Sequence, residues 1–235
     1  MVVTRFNPSA NGNLHLGHLF TLLVNEYFAS SRNGKCIMRW DDTSPICIAT
    51  GDRMDGIIQS HIDDLRWLGL EDKLMEWQCQ SVFKEVVEMK LYDLGFDVMN
   101  DAPEGYHYLP LVIRNGVDWI TYPYVPRQTA ERVIMDNIIG VTHLIRGDDF
   151  LAEYSLYCYY CQLFKFPAPE FIFLPRLCSA NGDISKTKGG YKIADFRANG
   201  YTPEQVIRIL EKACLYYPNN GWEFYNIRPN PRVDL

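Results

Sequence analysis

The chain opens with a short run of alternating character, Val2-Val3-Thr4-Arg5-Phe6, whose β-branched content predicts a buried strand. Turn residues then break it, Asn7-Pro8-Ser9-Ala10-Asn11-Gly12. Leu16, Leu19, Phe20, Leu23, Val24 and Tyr27 recur at helical spacing, so His15 to Ser30 reads as an amphipathic helix. Lys35 to Trp40 predicts a second strand that ends in Asp41-Asp42-Thr43. Asp55 to Leu68 sets Ile58, Ile62, Leu65 and Leu68 on one helical face and stops at Gly69. Strand, helix, strand, helix in that order predicts parallel strands joined by crossover helices.

From Trp77 to Pro126 the pattern changes. A helical segment around Val82 to Leu94 gives way to a Gly- and Pro-punctuated stretch through Asp101-Ala102-Pro103-Glu104-Gly105 and Asn115-Gly116, which reads as an insertion. Strand signals return at Val141 to Arg146 and at Phe171 to Leu174, with a helix over Leu151 to Phe164 between them. A polar, Gly-rich loop from Ser179 to Gly190 precedes a helix over Pro203 to Leu215 and a Pro- and Asn-rich tail.

Composition narrows the class. With 47% apolar and 22% charged positions among 235 residues, the chain is an ordinary globular sequence, which excludes disorder, collagen and coiled coil. Seven cysteines, an odd number without framework spacing, favour reduced thiols and a cytoplasmic setting. No apolar run reaches the roughly eighteen residues of a membrane span, and no targeting segment opens the chain. A net charge of −6 argues against a protein whose main work is coating nucleic acid, though a local basic groove is compatible with it. The tyrosines from Tyr154 to Tyr160 lack interleaved Arg or Lys and read as a packed helix.

The sharpest motif is His15-Leu16-Gly17-His18 at the mouth of the first helix. A helix N-terminus offers N–H groups and positive dipole to an anion, and a glycine there lets another group lie against the backbone. Two imidazoles at this position could stabilise charge on a phosphate under attack, so the site asks for a nucleotide. The bland reading is a pair of surface histidines; the strand-to-helix position weighs against it. Ile184-Ser185-Lys186-Thr187-Lys188, in the late loop, could close over a triphosphate. By itself it reads as solvated surface.

Taken with the rest of the chain, these motifs resemble the catalytic domain of class I aminoacyl-tRNA synthetases, within the group of glutamyl-tRNA synthetase and its truncated relative glutamyl-queuosine tRNA(Asp) synthetase. Arg5-Phe6-Asn7-Pro8-Ser9, Gly12 and His15-Leu16-Gly17-His18 are similar to the group's opening signature. Arg39-Trp40-Asp41-Asp42-Thr43 resembles its second-strand motif, Gly140 to Asp149 its central one, and Asp183-Ile184-Ser185-Lys186-Thr187 its K-M-S-K-S loop. The resemblance implies a Rossmann-type parallel sheet with helices on both faces, interrupted by a small insertion and followed by a short C-terminal helical segment. The expected division is 1–76 and 127–180 as halves of the catalytic domain, 77–126 as the insertion, and 181–235 as signature loop and truncated helical segment, with no anticodon-binding domain.

The same resemblance implies that ATP and an amino acid form an aminoacyl-adenylate, with Mg²⁺ sharing the charge of the departing pyrophosphate, and that a tRNA or tRNA-like acceptor then takes the aminoacyl group. His15, His18 and Lys186 are the implied catalytic residues. Gly17, Ser185 and Lys188 join them in binding ATP. Arg5, Ser9, Asp41, Gln128 and Arg146 are the implied amino-acid contacts, and two arginines suit glutamate, with its two carboxylates. The alternatives are a salt bridge at a strand end for Arg5, and pairing with Asp148 or Asp149 for Arg146.

Three positions depart from the group's pattern. Asp41 replaces a Glu, which retracts the carboxylate or enlarges the pocket; Gln128 replaces a substrate-contacting Tyr; Asp183 replaces the first Lys of the signature loop, for which Lys188 partly compensates. The zinc site of many bacterial members is not expected, since the insertion holds only Cys79 and the pair Cys158/Cys161 lies on a predicted helix as core thiols. His61, His107 and His143 read as ordinary structural or surface histidines. Two alternatives stand beside the main reading: transfer of the activated acyl group to a modified base, a protein or a metabolite, and a weakened paralogue that binds nucleotide or tRNA. The oligomeric state is left open.

Overall fold

A computed structural model describes residues 1–93, 108–115, 118–175, 177–179, 182–183, 191–214 and 232–233. The chain divides into two compact units: Met1–Gln80 with Val141–Leu151 and Pro169–Leu235, and Ser81–Gly140 with Ala152–Ala168.

The first unit is built on parallel strands. Strand β1 (Val3–Phe6) pairs in parallel with β2 (Lys35–Trp40), which pairs in parallel with β3 (Leu74–Cys79). The predicted elements contain no counterpart of β3. Its sequence Leu-Met-Glu-Trp-Gln-Cys does not alternate cleanly, because the ladder with β2 slips between Ile37 and Arg39 and Glu76 takes a left-handed φ of 56°. On the other side of β1 lies β6 (His143–Gly147), where Thr142 N–H donates to Val3 O at 2.9 Å, and β6 pairs in parallel with β7 (Glu170–Leu174). The parallel sheets β1-β2-β3 and β6-β7 thus meet where β6 lies beside β1, the kind of switch point at which a crevice opens beyond the carboxyl ends of the strands.

Helix α1 (Leu16–Ser30) connects β1 to β2 and is buried more widely than an amphipathic stripe requires: Leu22 is covered along with Leu16, Leu19, Phe20, Leu23 and Val24. These side chains form one core with Met38, Ile145, Leu174, Ile193 and Phe196. Asn25, a poor helix former, is fully buried at the middle of α1 because it is a fastener. Its main-chain oxygen accepts from Thr4 Oγ1 (3.0 Å), and its amide donates to Ile145 O (3.0 Å) and Thr21 O (2.8 Å). One residue of α1 therefore fixes the strand positions that precede Arg5 and Arg146. Helix α2 (Pro45–Ile48) is a single turn after β2, and α3 (Met54–Trp67) ends before Gly69, whose φ of +68° makes the turn that follows.

After β7 come two two-residue strands, β8 (Cys178–Ser179) and β9 (Gly182–Asp183), paired antiparallel, with β10 (Arg232–Val233) parallel to β8. Helices α7 (Ile193–Ala198) and α8 (Pro203–Cys214) follow, α8 matching the predicted helix to within a residue.

The second unit holds α4 (Lys84–Asp93), an antiparallel hairpin of β4 (Tyr108–Asn115) and β5 (Asp118–Pro126), α5 (Arg127–Ile138) and α6, which spans Leu151–Phe164 as predicted. Tyr157 donates to Asp136 Oδ2 at 2.8 Å, and Tyr160, Phe164 and Cys161 are buried, so the tyrosine-rich segment is a packed helix. Burial pushes the Cys161 thiol up to about 12. Among the described residues no helix is long and apolar enough to cross a membrane.

Candidate nucleotide and amino-acid site

The turn after β1 is tied to the end of β2 rung by rung. Asp41 N–H donates to Pro8 O (3.0 Å), Ala10 N–H to Asp41 O (2.8 Å), and Arg39 Nε to Asn7 Oδ1 (2.8 Å). Ser9 and Asp41 form a parallel bridge. Farther along the turn, fully buried His61 accepts from Trp40 Nε1 at its Nδ1 (3.2 Å), which leaves its proton on Nε2, 2.7 Å from Gly12 O. His61 therefore pins the last part of the turn before the His15 motif. The sequence reading of His61 as a structural histidine holds, though an imidazole on a helix face carries no sign of what it meets.

At the end of that turn His15 is the N-cap of α1, in extended backbone. Gly17 N–H donates to His15 Nδ1 (3.1 Å), and His15 N–H donates to His18 Nδ1 (3.3 Å). Both Nδ1 atoms are acceptors, so each neutral ring carries its proton on Nε2. The rings lie 3.9 Å apart at 31°. A Cβ on Gly17 would stand 2.9 Å from His15 Cε1, so the group that lies against the glycine is the histidine's own ring. The expectation that the helix end offers open N–H groups is corrected here. Leu16 N–H donates to Tyr191 O (3.2 Å) and Gly17 N–H is held by the imidazole, so neither N–H is open to an anion.

Arg5, Asp41 and Arg146 sit at or just past the carboxyl ends of β1, β2 and β6. Arg5 and Asp41 are buried, Ser9 and Arg146 half-buried. The Arg146 guanidinium lies 3.2 Å over the Phe150 ring, which fixes its plane. One oxygen of Asp41 accepts from Ser44 N–H at 3.1 Å, so the shortened carboxylate is drawn into the turn that starts α2. Gln128 opens α5 in the other unit and is half-buried. Ser185, Lys186 and Lys188 lie outside the described residues, as does His107. Asp183, across from Cys178 in the β8–β9 hairpin, marks where the loop leaves. The chain is described again at Tyr191 and Lys192, and there it is bonded to the motif: His15 and Lys192 form an antiparallel bridge, flanked by Leu16 N–H to Tyr191 O and Ile193 N–H to Leu14 O (3.0 Å). Sequence reading gave Lys192 no role.

Comparison with known proteins follows the same line. A family model described as tRNA synthetases class I (E and Q), catalytic domain, matches residues 1–92 and 118–225. Glutamate--tRNA ligase 2 of Anaplasma phagocytophilum is 25% identical over 288 aligned residues, covering 96% of this chain and 58% of that protein. Glutamate--tRNA ligase 2 of Neorickettsia sennetsu is 26% identical over 228, covering 89% and 54%. The chain thus spans somewhat over half the length of these curated relatives. Among solved structures, a glutamate-tRNA synthetase from Elizabethkingia anophelis superposes with a TM-score of 0.73 at 16% identity, covering 99% of this chain and 68% of the other. A glutamate tRNA ligase from Elizabethkingia meningosepticum, solved in complex with its amino acid, gives 0.74 at 17%, covering 99% and 67%. At that identity the superposition establishes the fold.

Proposed function

The chain belongs to the class I tRNA synthetases of the E and Q group, through their catalytic domain, and from that premise we propose that it activates glutamate with ATP and passes the glutamyl group to a tRNA or tRNA-like acceptor. In the first step a carboxylate oxygen of the amino acid attacks the α-phosphorus of ATP, the bond to the β-phosphate oxygen breaks, and pyrophosphate leaves. The protein supplies positioning and fixed dipoles rather than covalent chemistry.

One observation carries this reading: two imidazoles whose tautomers are set by backbone N–H groups, standing where the chain returns from the signature loop. Each Nε2–H is a donor for a phosphate oxygen. Lys186 lies five residues before Tyr191, a span of at most about 18 Å of chain, so it can reach the same triphosphate. Mg²⁺, which commonly binds nucleotides through their phosphate oxygens, would share the charge of the departing pyrophosphate. Arg5 and Arg146 suit the two carboxylates of glutamate, with Ser9, Asp41 and Gln128 the remaining proposed contacts. A cytoplasmic setting is proposed on the odd number of cysteines without framework spacing.

A second reading keeps the adenylate and changes the acceptor to a modified base, a protein or a metabolite. It is favoured by the net charge of −6 and by a family match that skips residues 93–117. ATP–pyrophosphate exchange measured over the twenty amino acids tests the shared step. Glutamate alone is expected to support exchange. Exchange with another amino acid reassigns the pocket, and none with or without tRNA overturns the proposal.

A further inference from the structure

We propose that Lys192 is an additional phosphate-binding cation, held beside His15 by the backbone and supplying charge that the signature loop lacks at Asp183. The inference rests on the ATP-dependent reading of the His15 motif. Its geometry is independent of the loop itself.

His15 and Lys192 face each other in an antiparallel bridge, both in extended backbone. The two hydrogen bonds of that bridge, Leu16 N–H to Tyr191 O and Ile193 N–H to Leu14 O, flank the pair rather than join it. This is the register in which opposite residues approach most closely, Cα atoms about 4.5 Å apart, with both side chains on one face. The Lys192 side chain therefore leaves the backbone on the His15 side. Its four-carbon stem is long enough to carry the ammonium to a phosphate held at the imidazole Nε2. Lys192 is exposed, so the ammonium is not committed to the core.

A second observation concerns local stability. Lys192 is the N-cap of α7, and it makes no side-chain capping bond. Ser, Thr, Asp or Asn would stabilise that position, and a cation there meets the positive end of the helix. A residue that is the wrong choice locally, at a point where the chain touches the candidate site, is what a ligand contact looks like. The resemblance to the synthetase signature places a lysine where this chain has Asp183, so a cation fixed on the far side of the loop restores the missing charge.

The test separates stability from binding. Lys192→Ser installs a better cap and removes the charge. Its thermal midpoint is expected to equal or exceed that of the unaltered protein, while its affinity for Mg·ATP, measured by titration calorimetry, and its exchange kcat/KM for ATP fall about tenfold or more. KM for the amino acid should stay within about twofold and Lys192→Arg within about threefold on all measures, since one contact to phosphate is at stake. A Lys192→Ser protein that binds Mg·ATP as tightly as the unaltered one overturns the inference while leaving the adenylation reading in place. An unaltered protein that neither binds Mg·ATP nor exchanges pyrophosphate overturns both.

Discussion

The chemistry of the candidate site is decided by where two protons sit. Because Gly17 N–H and His15 N–H each donate to an Nδ1, neither ring has a choice of neutral tautomer, and Nε2 of each is a donor. Gly17 makes this possible by having no Cβ. Gly17→Ala places a methyl 2.9 Å from His15 Cε1, so the ring must turn and its Nδ1 must leave the Gly17 N–H. Alanine is the better helix former by about 1 kcal/mol, so the fold should survive. Pyrophosphate exchange is expected to drop on the order of 10²-fold, as misplaced transition-state donors do, with a thermal midpoint close to that of the unaltered protein. If the variant exchanges at full rate, the His15 ring is not a phosphate donor. The spacing of the two histidines was legible in the chain, but their tautomers were not, since periodicity does not show which backbone N–H each ring meets; the placement of His61 beside Gly12 and of Lys192 opposite His15 was not either, since each joins residues far apart in sequence.

At the scale of elements, the pattern of apolar positions identified β1, β2, α1, α3, α4, β6, α6, β7 and α8, whether each buries one face or, as in β1, β2 and α1, most of its surface. It missed β3, whose bulge breaks the alternation, and α5 and the β4–β5 hairpin, which sit in the insertion where turn residues dominate. It also missed how α3 meets α7. Asp64 of α3 is fully buried, 3.3 Å from Arg197 Nη2, and burial lifts its carboxyl to about 6 despite that arginine. The unfolded carboxyl titrates near 3.8, so the folded state takes up a proton between that value and about 6, and stability from this group falls as pH rises through the window. Asp64→Asn removes the titration. The stability of the variant relative to the unaltered protein should therefore rise by roughly 2 kcal/mol from pH 4 to pH 6 and level off above about pH 7, which urea unfolding at each pH would read. A constant difference across that range would mean the carboxylate is solvated. The start of α8 offers a simpler case: Thr202 and Gln205 cap each other, Gln205 N–H to Thr202 Oγ1 at 3.3 Å and Thr202 N–H to Gln205 Oε1 at 2.8 Å. Thr202→Ala should cost about 1 kcal/mol of unfolding free energy without changing exchange.

For the whole molecule, the collinear motifs were enough to indicate the family, and the two proposed readings part at the acceptor. The two readings differ in electrostatics. A polynucleotide acceptor must be held through its phosphates, and each phosphate neutralised by Lys or Arg releases a counterion, steepening the salt dependence by about 0.7 to 0.9 in the log–log slope. A protein of net charge −6 gains nothing from its overall field in attracting RNA, so whatever holds the acceptor must be local and few in contacts. Adenylate formation, in contrast, would under either reading take place on a nucleotide held at His15 and His18, the contacts proposed above. With tRNA as acceptor, kcat/KM for charging should fall along a line of slope about −2 to −4 between 50 and 200 mM salt, as a handful of phosphate contacts requires, while exchange without tRNA changes less than about twofold. With a small metabolite as acceptor both rates should run parallel and nearly flat. Parallel curves in a preparation that charges no tRNA would move the second reading ahead of the first, and would do so without altering any role assigned to the His15 motif.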